Sequence, residues 1–339
     1  MIDKPLVTVV MPAYNAELYI GQAIESVLNQ TFSLWELIII NDGSTDNTLG
    51  IIQYYAKNDI RIKYSTISNS GTARTPRFIA VMQAMGDYII TLDADDYIDI
   101  TCLQKMYDKM LVTHADILLQ RLAVVDDNHK IYGIVPLDSF DINQEFTGKE
   151  ACALTIGDWE IGAAGAMYKT KLFQNYVEND CGTFYYMNED ELDTRKLFLK
   201  SSLICLSDTY YYYRYNNTSI TKKVSGKQFD ILITSIILKD IVSENYSKGD
   251  SVYRKLFMQQ FNTLLSCRIY YLKNKNKLSI EECEKGLELL RKSFNETRNM
   301  FNILDFTIKR AVLLINYSFF NVISKLYFLL FKKKYIHSI

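Results

Sequence analysis

Tyr88-Ile89-Ile90-Thr91-Leu92-Asp93-Ala94-Asp95-Asp96-Tyr97 carries an apolar, β-favouring run straight into three carboxylates within four residues. Residues 88–92 suit a strand buried on both faces. The aspartates then fall at its carboxyl end, where open α/β sheets take their ligands. Asp93 and Asp95 are two apart, so in a continuing strand both side chains face the same way. Crowded oxygen ligands of this kind suit a hard divalent cation, Mn2+ or Mg2+, which in turn neutralises a diphosphate. The plain alternative is a solvated acidic turn.

Working outward, Leu6-Val7-Thr8-Val9-Val10-Met11 predicts a first buried strand stopped by Pro12, with Pro12-Ala13-Tyr14-Asn15 as a loop. Ile20, Ala23, Ile24, Val27 and Leu28 follow at helical spacing. Leu37-Ile38-Ile39-Ile40 is a second strand, and Asn41-Asp42-Gly43-Ser44-Thr45-Asp46 its turn, with Ser44 or Thr45 expected to cap a helix through Leu49, Ile52 and Tyr55. Ile62-Lys63-Tyr64 predicts a short third strand, and residues 78–84 a helix stopped by Gly86. Strand and helix alternate, so the first hundred residues read as α/β, a parallel sheet with helices on both faces. Beyond residue 100 the rhythm changes. A hairpin is expected around Asp126-Asp127-Asn128-His129, residues 158–221 are rich in aromatics and glycine, and from about Gly226 the pattern is helical. Ser279-Ile280-Glu281-Glu282 reads as a capping box.

Composition narrows the class. Of the 339 residues 48% are apolar and 23% charged, which suits a folded chain. A formal charge of −1 gives no support for a nucleic-acid partner. Six cysteines are scattered without CxxC or metal-like spacing, so reduced thiols in a cytoplasmic protein are expected. A strand-like run near the start leaves no room for a cleaved leader, and export by that route is not expected. The three histidines are too far apart for a metal set.

Asp42, Asp93 and Asp95 fall on one predicted rim of the sheet, with Arg77 ahead of the helix that leads into the fourth strand. Carboxylates there can accept from a base N–H or a ribose hydroxyl, and an arginine can pair phosphate oxygens. No G-x-G-x-x-G follows the first strand and there is no Walker sequence, which argues against dinucleotide and P-loop binding. Val9-Val10-Met11-Pro12-Ala13-Tyr14-Asn15, Ser26-Val27-Leu28-Asn29-Gln30-Thr31, Asn41-Asp42-Gly43-Ser44-Thr45-Asp46 and Gly86-Asp87-Tyr88 leading into Leu92-Asp93-Ala94-Asp95-Asp96 together resemble family 2 glycosyltransferases of the GT-A fold. The resemblance implies a Rossmann-like, mostly parallel mixed sheet, a UDP-sugar donor, Mn2+ or Mg2+, and transfer with inversion at the anomeric carbon. It places Ala13 and Tyr14 along the base with Glu17 nearby, Asp42 on the uracil N–H, Asp93 by the ribose, Asp95 on the metal and Arg77 near the diphosphate, with Pro12 and Ala94 as further donor-binding residues. Thr75-Pro76-Arg77-Phe78 departs from the usual Ala-Ala-Arg-Asn, and the loop from Asn69 is one residue longer.

Met187-Asn188-Glu189-Asp190 resembles the family's Glu-Asp motif at a helix start. That implies Asp190 as the base that takes the acceptor hydroxyl proton, with Glu189 its neighbour and Asp193 a weaker choice. The alternative is that these acids serve only the helix dipole. Trp159 offers an aromatic face for an acceptor sugar, or else a core side chain. Asp96 and Arg214 are further acceptor-side candidates, Tyr213-Arg214 with Thr218-Ser219-Ile220-Thr221 resembling a segment that closes near the diphosphate. Residues 308–335 are apolar but interrupted, and end in Lys332-Lys333-Lys334. This suits an in-plane helix at the inner membrane face better than a spanning one; a helix packing within the fold or on a second copy is the rival. The expected organisation is a GT-A domain over 1–225, with a nucleotide-sugar half to residue 100 and an acceptor half after it, and a helical region over 226–339. The acceptor is expected to be a glycan or a lipid-linked saccharide. The rival reading from another class is a nucleotide-sugar-binding partner without turnover in a polysaccharide assembly complex.

Overall fold

The computed structural model describes residues 4–126, 130–134, 140–157, 159–179, 187–215, 224–301 and 316–331. The hairpin turn at 127–129, the Thr218-Ser219-Ile220-Thr221 stretch and Lys332-Lys333-Lys334 lie outside these residues.

The N-terminal strands are β1 (Val7–Ala13), β2 (Trp35–Asp42), β3 (Ile62–Ile67) and β4 (Tyr88–Thr91). They are joined by α1 (Ile20–Leu28), α2 (Thr48–Asn58) and α3 (Arg74–Gln83). All four strands run parallel, with Val9 opposite Leu37 on one side and Ile90 on the other. Every residue of β1 and β2 is buried, as continuous apolar runs in a two-face-covered sheet require. On one face Val9, Leu37 and Ile39 pack with Ile20 and Ile24 of α1. The alternate residues Val10, Ile38 and Ile40 are equally buried, and α3 contacts β1 and β2.

Three local expectations need correction. Ser44 and Thr45 do not cap α2: its N-cap is Asn47, and the carboxylates of Asp46 and Glu17 accept from Thr48 and Asn47 N–H instead. Helix α3 starts at Arg74, four residues before the predicted start, because Pro76 sits in the first turn, where N–H groups have no intrahelical acceptor to lose. Gly86 is not a helix cap. A Cβ there would stand 2.7 Å from the Thr8 backbone nitrogen, so glycine permits close approach to β1.

The second half of the sheet adds β5 (Tyr97–Ile98), β6 (Ile117–Val125), β7 (Ile131–Ile134), β8 (Glu145–Phe146), β9 (Met167–Lys169) and β10 (Ile204–Arg214). The order is β3-β2-β1-β4-β9-β6-β10-β5, with β7 on β6 and β8 on β10. Short β9 is antiparallel to both β4 and β6, and β10 is parallel to β6, so the sheet is mixed. The expected hairpin is the β6–β7 pair. The helices of this half are α4 (Cys102–Thr113), α5 (Gly148–Leu154), α6 (Thr170–Asn179) and α7 (Glu189–Leu199).

The chain divides into two compact units, one of Met1–Thr155, Trp159–Tyr185 and Asp193–Asn216, the other of Ile156–Asp158, Tyr186–Leu192 and Asn217–Ile339. The main division thus falls at 216/217, against the expected 225/226, and α7 contributes residues to both. The second unit contains α8 (Ile231–Asn245), α9 (Ser251–Asn274), α10 (Ile280–Phe301) and α11 (Tyr317–Phe331). The predicted capping box is formed: Ser279 N–H donates to the Glu282 carboxylate at 2.9 Å and Glu282 N–H to Ser279 Oγ at 3.1 Å. Phe294 of α10 packs against Tyr317 and Phe320 of α11. Among the described residues no helix is long and apolar enough to cross a membrane.

Candidate active site

Strands β2 and β3 lie to one side of β1 and β4 to the other, so the chain reverses its direction of travel between β1 and β4. The carboxyl ends of strands at such a switch point leave a crevice for a ligand. Pro12 and Ala13 end β1 there, both buried, while Tyr14 is 39% exposed. Asn15 takes a left-handed φ of 48°, and its N–H donates to Ser44 Oγ while its side-chain oxygen accepts from Thr45 N–H at 2.8 Å. Glu17 faces solvent with its carboxylate on Asn47 N–H. The loops after β1 and β2 are therefore stitched to one another.

Asp42 ends β2 at only 4% exposure. Its two oxygens accept from Ser70 N–H at 2.8 Å and Ser70 Oγ at 3.0 Å, which ties the loop before α3 to the strand end. A carboxylate has room for about four hydrogen bonds, so Asp42 keeps capacity for a further donor. Gly43 beside it has φ 66°, and a Cβ would meet the Asn69 nitrogen at 2.7 Å.

The acidic stretch does not continue β4, which ends at Thr91. It is a turn closed by Asp96 N–H donating to the Asp93 carbonyl at 3.1 Å, so the same-side argument for Asp93 and Asp95 gives way to turn geometry. Arg77 Nη2 donates to Asp93 Oδ1 at 3.0 Å, an ion pair with the arginine largely covered and the aspartate about half exposed. Two residues predicted separately thus meet. Asp95 is partly buried, and burial first, then the charge of Asp93, pushes its carboxyl up to about 6, with Arg214 acting the other way. Among the described residues no three acidic, cysteine or histidine side chains form a metal cage. The donor set nonetheless fits Mg2+ or Mn2+, which take one or two carboxylates and complete their shell with substrate phosphates and water.

Asp96 and Arg214, expected on the acceptor side, are 2% and 4% exposed. Tyr211 Oη donates to Asp96 Oδ2 and Arg214 N–H to Asp96 Oδ1, both at 2.7 Å. Burial and the neighbouring Asp95 and Asp93 charges push the Asp96 carboxyl well above its usual range, while those two hydrogen bonds act against the shift. This is an internal brace, and it replaces the expected acceptor contact.

Helix α7 opens with Glu189, 7% exposed, and Asp190, which faces solvent in the first turn. Asn188 before it has φ 61° and donates to Glu191. Asp193 is not free to act as a base. It is 8% exposed, paired with Arg74 at 2.8 and 3.1 Å, and accepts from Tyr176 Oη at 2.5 Å. Arg74 also lies over the Phe78 ring at 4.1 Å. The sequence reading missed Arg74; its place one helical turn before Arg77 is the signal that could have marked it. Trp159 is partly buried with the Arg195 guanidinium 4.6 Å from its ring centroid, and Arg195 itself is held by the Thr155 hydroxyl and carbonyl.

The family model for glycosyl transferase family 2 matches residues 8–177. An uncharacterized glycosyltransferase of Haemophilus influenzae is 44% identical over 114 residues, 33% of this chain and 45% of that protein. The poly(ribitol-phosphate) beta-N-acetylglucosaminyltransferase TarS of Staphylococcus aureus is 31% identical over 215 residues, 61% of this chain and 35% of that protein. The match therefore spans less than half the length of either relative. The crystal structure of S. aureus TarS 1–349 in complex with UDP-GlcNAc superposes with a TM-score of 0.62 at 22% identity, covering 88% of this chain and 83% of that one, which establishes a common fold.

Proposed function

This chain belongs to glycosyl transferase family 2, and from that membership we propose that it moves a sugar, with inversion, from a UDP-linked donor to a hydroxyl of a glycan or lipid-linked acceptor. The observation that supports the reading is the Arg77–Asp93 ion pair in the same turn as Asp95 after β4, with Asp42 at the carboxyl end of β2 in the same sheet. Asp42 has hydrogen-bonding capacity for the base, with Pro12, Ala13 and Tyr14 beside it at the end of β1. Asp93, oriented by Arg77, is suited to a ribose hydroxyl. Asp95 would hold Mn2+ or Mg2+, whose role when bound is to neutralise the diphosphate. A carboxylate kept near Asp93 and partly out of water gains most from a cation. Arg77 would add a second positive charge for the leaving group. Asp190, exposed at the start of α7, is suited to accept the hydroxyl proton of the acceptor as that oxygen attacks the anomeric carbon. The name of TarS and its complex with UDP-GlcNAc make UDP-GlcNAc the first donor to try.

UDP release from a panel of UDP-sugars, in Mn2+ or in EDTA, tests the reading. Release in Mn2+ that is lost in EDTA and in Asp95→Ala supports it. Asp190→Asn is expected to lose turnover and keep UDP binding. Absence of UDP binding to the unaltered protein overturns the donor site. Binding without turnover on any acceptor favours a non-catalytic nucleotide-sugar partner of an assembly complex. We further propose that α11 provides peripheral contact with the inner membrane face, which would bring a lipid-linked acceptor close.

A further inference from the structure

We propose that Tyr211 and Arg214 of β10 are positioning residues that hold the Asp93–Asp95 turn in the shape its cation and diphosphate require, with Asp96 as their buried anchor; this rests on the donor-site reading above. Leu92 N–H still donates to the Val10 carbonyl of β1, but from Asp93 the turn has left β4, and its backbone groups need other partners. Side chains of β10 supply them. Tyr211 Oη accepts from Asp93 N–H at 3.2 Å while donating to Asp96, and Arg214 Nε donates to the Asp95 carbonyl at 3.0 Å. Arg214 N–H takes the other Asp96 oxygen, and its guanidinium continues to Gln22 Oε1 of α1 and lies 4.7 Å from the Tyr19 ring centroid. Each of the three aspartates is thus held by β10, at an amide, a carbonyl or a carboxylate.

The consequence is chemical. Two like charges, Asp93 and Asp95, would relax apart on a free turn; here the backbone on both sides of Ala94 is tied down. Their repulsion is kept as affinity for a cation, and no reorganisation is needed when one arrives. Tyr211 has little freedom of its own. It is 2% exposed, and a Cβ on Gly165 would run into its ring. The phenol oxygen can therefore be removed with the ring left in place.

Calorimetry of UDP binding, in Mn2+ and in EDTA, reads the effect without turnover. Tyr211→Phe is expected to weaken UDP binding in Mn2+ by about tenfold and to leave binding in EDTA within about twofold. A merely structural loss would lower both together. Arg214→Ala is expected to lose the Mn2+ enhancement, and Arg214→Lys to recover part of it. The inference is overturned if Tyr211→Phe and Arg214→Ala both keep the full Mn2+ enhancement, or if both conditions weaken alike. If the unaltered protein binds UDP no better in Mn2+ than in EDTA, the metal assignment falls, and this inference with it.

Discussion

Asp95 is where the electrostatics of the site concentrate. Its carboxyl, pushed up to about 6 against 3.8 for an unperturbed aspartate, binds a proton more tightly in the folded chain than in the unfolded one. Its contribution to stability is therefore complete below pH 3.8 and is lost as the pH rises through about 6. Asp95→Asn should be more stable than the native chain by roughly 1–3 kcal/mol at pH 7.5 in metal-free buffer, with the gap closing near pH 4. Denaturation at the two pH values measures this, and a gap independent of pH would contradict it. The neighbouring Arg77 and Asp42 show what sequence could and could not reveal at this scale. Asp42 was legible because a carboxylate at the end of an apolar strand has no packing reason to be there, whereas Arg77, inside α3, was marked only by the family resemblance. Their partners were not: the Asp42–Ser70 and Arg77–Asp93 contacts depend on how the loops fold back.

At the scale of elements, the first four strands were readable because a strand covered on both faces needs an unbroken apolar run. Short strands escaped for the complementary reason. Tyr97–Ile98, Glu145–Phe146 and Met167–Lys169 are two or three residues long, below any periodicity, and exist because longer neighbours offer them hydrogen bonds. Gly86 shows an element contact that a residue type alone misreads. It lies against β1, accepting from Thr170 Oγ1 and donating to Thr8 Oγ1. Gly86→Ala drives a Cβ into the β1 backbone and should cost about 1–3 kcal/mol. Gly133→Ala on β7, where a Cβ meets nothing within 4 Å, is the control and should leave the melting temperature nearly unchanged. Equal melting temperatures for the two variants would show that β1 yields to the added methyl.

At the scale of the whole molecule, the membrane proposal rests on the surface of α11. In α11, Phe320 and Ser324 are buried while Val322 and Leu326 are more than half or half exposed, and three lysines follow in the sequence. Under the membrane proposal such a helix would lie in the interface rather than across it. Flotation with vesicles rich in anionic lipid should carry the full chain upward at low salt and less so at high salt; failure to float at low salt would remove the membrane proposal. The sequence by itself determined the alternation of strands and helices, the acidic and basic residues at their ends, and the family. These follow from burial and from the polar groups that a nucleotide site must present, and both are local patterns. Only the tertiary structure decided which of Tyr210-Tyr211-Tyr212-Tyr213 turns inward, because an irregularity between Leu206 and Tyr210 shifts the register of β10 on β6. Only it paired Arg74 with Asp193, 119 positions apart, and Arg214 with Asp96, 118 apart. Partners so distant are chosen by strand order and side-chain direction, and no local run of residues encodes either.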